Sequence, residues 1–278
     1  NTPLWIYDTG NDVDANGLQE QSVAISAEGK YMAVGNIGDN VYLFYNNNLP
    51  VAHWSFDEGE GTTAYDSSGN GNAGTLQNGA QWVDGVVGGA LEFDGENDYV
   101  VVDDDSALDL SSQISISAWV DLDSNSGPQA IVNKDANNNG GYVLQIKDGN
   151  TDFYFHDGSS GYHCYGDIFI STDKWYLITA TYDSSNVNIY VNDELDSTCT
   201  NTASINTNNV PLYIGAYGGH NGTSGAYFSG YIDNIIIWNR PLSSEEISEL
   251  YESYSSPPIA HWSFDEGEGT TAYDSSGN

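Results

Sequence analysis

Residues 114–120 read Ile-Ser-Ile-Ser-Ala-Trp-Val, with Ile114, Ile116, Ala118 and Val120 falling on one face of a period-two pattern. Alternation of this kind marks a half-buried β-strand and not a helix. Similar segments recur on both sides, at 89–95, 98–102, 142–146, 153–156, 175–182, 212–216 and 228–238. Two more, 186–191 and 195–200, face each other across Asn192-Asp193-Glu194 and predict a hairpin. Gly, Asn and Asp punctuate the series, as turns require. One short helix is expected after Ser243, whose hydroxyl can cap it while Glu246 closes a capping box ahead of Ile247. Short strands at this spacing with one C-terminal helix predict an all-β, two-sheet antiparallel sandwich.

A repeat sets the organisation. Residues 51–70 read VAHWSFDEGEGTTAYDSSGN and residues 259–278 read IAHWSFDEGEGTTAYDSSGN, so only Val51 against Ile259 differs. This divides the chain into a domain at 51–256 and, at 257–278, a Pro257-Pro258 linker followed by the first strand of a second unit. Residues 1–50 alternate strand and turn signals and predict a β-meander. They resemble one blade of a WD40- or quinoprotein-like β-propeller, with a small independent meander as the alternative. The chain begins at Asn1, which reads as a mature or trimmed segment.

Several motifs stand in one order: HWSFDEGEGTTAYDSSGNGNAGTL, GGALEFDGENDYVVV, ISISAWV, KWYLITATYDSSNVNIYVND, LYIGA and FSGYIDNIIIWNRPLSSEEISELY. Together they resemble a laminin-G-like domain of the concanavalin-A-like jelly-roll superfamily over about 51–252. The resemblance implies a jelly roll of the kind repeated in extracellular adhesion and glycan-binding proteins. It also implies a structural Ca²⁺ where the first strand, a nearby loop and the last long strand meet. The matching residues are Asp57, Asp66, Asn70, Asn72 and Asp233. Asp233 interrupts an Ile-rich run, where a carboxylate must be neutralised, hydrogen-bonded or metal-bound. Asp66 and Asn70 could instead build only Asx turns. Relatives that hydrolyse glycans carry an E-x-D-x-x-E strand; the strands quoted above have no such pattern, so no catalytic residues and no enzyme activity are expected.

Asp and Glu number 40 against 5 Lys and Arg, a net charge of −35. Such a field opposes nucleic acid and anionic membranes as partners, and no stretch approaches a membrane span. It fits an acidic, solvating surface with calcium sites within it. Cys164 and Cys199, an even count in an acidic, Asn- and Thr-rich chain, predict a disulfide and a secreted or cell-surface location. The alternative is two buried thiols. Asn221 heads an N-glycosylation sequon. The five histidines show no zinc spacing. Two polar, Gly-rich segments place Tyr162 and His163, and Tyr217 and His220, where a shallow glycan site could form, although ordinary strand connections or contacts with a neighbouring subunit explain them more simply. The resulting expectation is a non-enzymatic extracellular structural protein, a repeat-built subunit of a filament or surface layer whose partners are copies of itself. The alternative is a lectin-like adhesin that binds extracellular glycans.

Overall fold

The computed structural model describes residues 49–135, 139–217 and 226–255, together with the backbone of four earlier strands. Those four are β1 (Pro3–Tyr7), β2 (Val23–Ser26), β3 (Tyr31–Gly35) and β4 (Val41–Tyr45), which pair in chain order as an antiparallel meander. One sheet of this kind does not by itself distinguish a propeller blade from an independent meander. The linker and the second copy at 257–278 lie outside the described residues, as do His220 and Asn221.

The sandwich follows: β5 (Ala52–Trp54), β6 (Thr63–Ala64), β7 (Gly74–Gln77), β8 (Gln81–Asp84), β9 (Gly89–Asp94), β10 (Tyr99–Val102), β11 (Ile114–Leu122), β12 (Pro128–Asn133), β13 (Gly141–Lys147), β14 (Asn150–His156), β15 (Gly161–Phe169), β16 (Tyr176–Tyr182), β17 (Asn186–Val191), β18 (Glu194–Thr200), β19 (Leu212–Ile214), β20 (Ser229–Trp238) and the helix α1 (Ser244–Ser255). The first sheet runs β18-β17-β16-β11-β20-β9-β8, with β5 also paired to β20. The second runs β15-β14-β13-β12-β19-β10-β7-β6. All registered pairs are antiparallel. This is the all-β jelly-roll arrangement that the strand spacing predicts.

Ile114, Ile116, Ala118 and Val120 enter the core between the sheets, as the alternation requires, and meet Trp54, Phe93, Leu144, Phe153 and Phe155 there. The other face of β11 is buried too. Ser115, Ser117 and Trp119 lie beneath α1, with Tyr251 stacked on Trp119 at 5.7 Å and Tyr254 edge-on to it at 6.2 Å. Ile247 and Leu242 pack with Tyr190, Ile236 and Trp238. The serines are satisfied: Ser115 Oγ donates to Arg240 O and accepts from Leu242 N, and Thr179 donates to Ser117. Both bonds of the capping box form, Ser243 N to Glu246 Oε2 at 2.9 Å and Glu246 N to Ser243 Oγ at 3.2 Å.

At one side of the sandwich the two sheets end in β15 and β18. Cys164 and Cys199 join them, with Cα atoms 5.7 Å apart. Asp196 of β18 accepts from the backbone N–H groups of Asp167 and Ile168 on β15 at 2.9 and 2.8 Å. A covalent and a hydrogen-bonded tie thus close the edge where neither sheet has a further strand.

Candidate functional site

The five residues expected around a calcium ion divide into two arrangements, each occupied by N–H donors. Asp66 accepts from His53 N and Ser68 N through Oδ1 and from Asn72 N through Oδ2, all at 2.9–3.0 Å. The Asn70 and Asn72 amides donate to Val51 O at 3.1 and 2.8 Å. This is an Asx-type knot that fixes the first strand. Asp57 Oδ1 accepts from Gly89 N, and Asp233 Oδ2 accepts from Val86 N, both at 2.9 Å. The turn 85–88 between β8 and β9, with Gly89 at its exit, is therefore held by the carboxyl groups of Asp57 and Asp233. A Cβ on Gly85 or Gly88 would collide with one or the other.

Asp233 is fully buried, and burial pushes its carboxyl up to about 7 against hydrogen bonds from Val86 and Val87 that lower it. Its other oxygen accepts from Asn234 Nδ2 at 2.8 Å. Asn234 sits at φ 47° where β20 carries one more residue than β11, a bulge that turns its amide towards His53 and Tyr254. His53 Nε2 lies 3.3 Å and Tyr254 Oη 2.9 Å from Asn234 Oδ1. Burial holds the His53 imidazole below its usual value. In these two arrangements the carboxyl groups of Asp57, Asp66 and Asp233 each accept backbone N–H groups. No three His, Cys, Asp or Glu converge as metal ligands among the described residues.

The outer face of the second sheet holds a different cluster. On β14 and β15, Phe153, Phe155 and Cys164 enter the core, so Asp152, Tyr154, His163 and Tyr165 point the other way. The His163 ring lies parallel to Tyr165, 2° between planes and 5.3 Å between centroids, and 4.4 Å from Tyr154. Tyr165 is 46% exposed, whereas Asp152 is fully buried beneath the rings. Asp152 bonds His163 Nδ1 at 3.0 Å and Gln145 Nε2 at 2.8 Å, which fixes the imidazole in its stacked orientation. Lys147 lies 5.8 Å over the Tyr165 ring. Burial pushes the Tyr154 hydroxyl up to about 12, and Asp135 and Asp152 add to the shift. The Tyr217 hydroxyl is raised as well, burial again being the main cause. Both hydroxyls stay protonated at physiological pH.

Of the residues expected to read glycans, Tyr162 and His163 both lie in strand β15 and not in a loop, their side chains on opposite faces of it. Tyr162 packs against Phe155 at 5.4 Å and donates to Asp157 at 2.8 Å. A cavity of ≈ 200 Å³ opens at the closed edge beside the disulfide, lined by Phe155, Tyr162, His163, Val187, Thr200 and Asn201, so it brings Tyr162 and His163 together. The sequence reading missed Asp152, Tyr154, Tyr165 and Gln145. The signal was available: Asp152 and Tyr154 alternate with Phe153 and Phe155, as His163 and Tyr165 do with Cys164.

Residues 94–248, more than half of the chain, match the family model described as the concanavalin A-like lectin/glucanases superfamily. No curated protein matches the sequence. Among solved structures, the binding domain of Paraclostridial Mosquitocidal Protein 1 superposes with a TM-score of 0.62 at 22% identity, covering 78% of this chain and 55% of that one. Domain 4 of AbnA, an extracellular arabinanase from Geobacillus stearothermophilus solved with arabinotriose, gives 0.60 at 24% identity, covering 73% of this chain and 98% of that domain. The Botulinum neurotoxin serotype D ligand binding domain in complex with N-acetylneuraminic acid gives 0.60 at 16%, covering 78% and 53%. The chain spans about half the length of the two toxin domains and nearly all of the arabinanase domain. At these identities the likeness is one of fold.

Proposed function

The chain belongs to the concanavalin A-like lectin/glucanases superfamily, and from that membership we propose that it is a non-catalytic, extracellular carbohydrate-binding module that takes neutral oligosaccharides on the outer face of the second sheet. The observation that carries this reading is the parallel His163–Tyr165 pair, partly exposed on a rigid sheet and braced from beneath by buried Asp152. Flat rings of this kind offer the C–H face of a sugar a stacking platform, and Tyr154, its hydroxyl protonated, stands beside it. Asp152, fully buried and bonded to Gln145 and His163, is badly placed to exchange protons with a substrate, which favours binding over hydrolysis. The neighbours solved with arabinotriose and with N-acetylneuraminic acid support a sugar as ligand class. The net charge of −35 argues for the neutral class over the acidic one. Calorimetry against neutral and sialylated oligosaccharides tests the reading. Millimolar or tighter binding of a neutral sugar is expected, weakened at least about tenfold by Tyr165→Ala and by His163→Ala, the loss of one stacking contact. Unchanged binding in both variants would sink it.

The repeat of 51–70 at 259–278 favours a second role for the same module, as the serial unit of a surface filament or layer assembled head to tail. Electron microscopy of the native material, showing a polymer or none, decides that point.

A further inference from the structure

Residues 51–70 behave as a plug. Ala52, Trp54, Phe56 and Ala64 are fully buried, and β5 pairs with Ile235, Ile236 and Ile237 of β20. Val51 N donates to Ile237 O at 2.7 Å, and β6 pairs with β7 in the opposite sheet, so the plug bridges both layers. Many of its polar bonds are internal: His53 N to Asp66, Ser67 N to His53 O, Ser68 N to Asp66, Asn70 to Val51 O and Tyr65 N to Glu58. Further ties run to Asn72, just outside the segment, which bonds Trp54, Asp66 and Val51; a second copy therefore needs the slot and Asn72, not the residues that precede 51.

Residues 259–278 carry the same pattern: Ala260, His261, Trp262, Phe264, Ala272 and Asp274 stand where Ala52, His53, Trp54, Phe56, Ala64 and Asp66 stand. The single difference, Ile259 for Val51, adds one methylene at a half-buried position packed against the core. The tether also reaches. Tyr254, in the last turn of α1, bonds the same Asn234 oxygen that His53 approaches. From Tyr254 to His261 there are seven residues, and an extended chain of that length spans about 23–25 Å. That exceeds the distance between two side chains meeting at one oxygen atom.

We propose that Ile259–Asn278 is a second occupant of the first-strand slot of its own chain, interchangeable with residues 51–70. Tethering beside the slot gives the second copy a high effective concentration there, so it fills the slot whenever the first copy leaves or is damaged.

Substituting each tryptophan in the full chain tests this by urea unfolding. Trp262→Ala is expected to leave the midpoint unchanged. Trp54→Ala is expected to lower it only slightly, because Trp262 takes over. The double variant is expected to lose most of its stability or fail to fold. A midpoint for Trp54→Ala as low as that of the double variant, or a Trp54→Ala chain that does not fold, overturns the proposal. Hydrogen exchange gives a second reading: in Trp54→Ala, protection is expected to move from peptides of 51–70 to peptides of 259–278. Protection that stays on 51–70 counts against it. Light scattering identifies the source. A rescued monomer supports replacement within one chain, and rescue seen only in dimers overturns it in favour of exchange between copies.

Discussion

Asp233 is the residue at which the fold carries an ionisable group deep among apolar ones. Its carboxyl stays protonated to about pH 7 in the folded chain, against an ordinary value of 3.8. Between those limits the folded state binds more protons than the unfolded one. The stability Asp233 contributes is therefore complete below about pH 4, falls as pH rises through 7, and levels off above. A shift of this size corresponds to about 4 kcal/mol across the window. Thermal unfolding from pH 4 to 8 is expected to show a melting temperature that falls with rising pH. Asp233→Asn should flatten that slope, leaving only the part due to general charge repulsion. An equal slope in the variant would place the titration elsewhere. The sequence made Asp233 stand out as a carboxylate needing a partner, but not that the partner is the backbone of 85–89. Backbone N–H groups are common to all residues except proline, and only the turn's geometry reveals which ones point inward.

At the scale of elements, the strand faces and the capping box at Ser243 were legible because each depends on local spacing. Strand β12 was not, since a short run after Gly127-Pro128 gives no alternation to read. Nor was burial on both faces of β11, where Ser115 and Ser117 read as solvent-facing until α1 covers them. The β15–β18 edge joins residues 35 apart in sequence and was visible only as two cysteines. Closing a loop of that length restricts the unfolded chain by about 3–4 kcal/mol. Reduction, or Cys164→Ser with Cys199→Ser, is expected to lower unfolding stability by about that amount in a denaturant titration. Asp196 continues to tie the same edge, so the fold is expected to survive. A loss below about 1 kcal/mol would mean that the hydrogen bonds to Asp167 and Ile168 already hold the edge closed.

At the scale of the whole molecule, the four described basic side chains are all engaged. Lys134 is buried against Asp104 and Asp109, Arg240 pairs with Glu246, and Lys147 and Lys174 lie over tyrosine rings. The acidic surface is thus largely uncompensated, and composition alone conveyed this. It did not convey where the domain begins and ends in space. Val51 and Tyr254, nearly the full length of the domain apart in sequence, come together around β20 and Asn234. Tension applied through residues 51 and 254 would enter and leave the domain at the same corner. It would peel β5 from β20 one bond at a time instead of shearing the sandwich across its sheets. The domain would then hang beside the line of force as a pendant, with the disulfide-tied edge and the ring-bearing face carrying no load. Pulled by its ends in single-molecule force spectroscopy, the domain is expected to release residues 51–70 first and at low force, before any rupture of the sandwich.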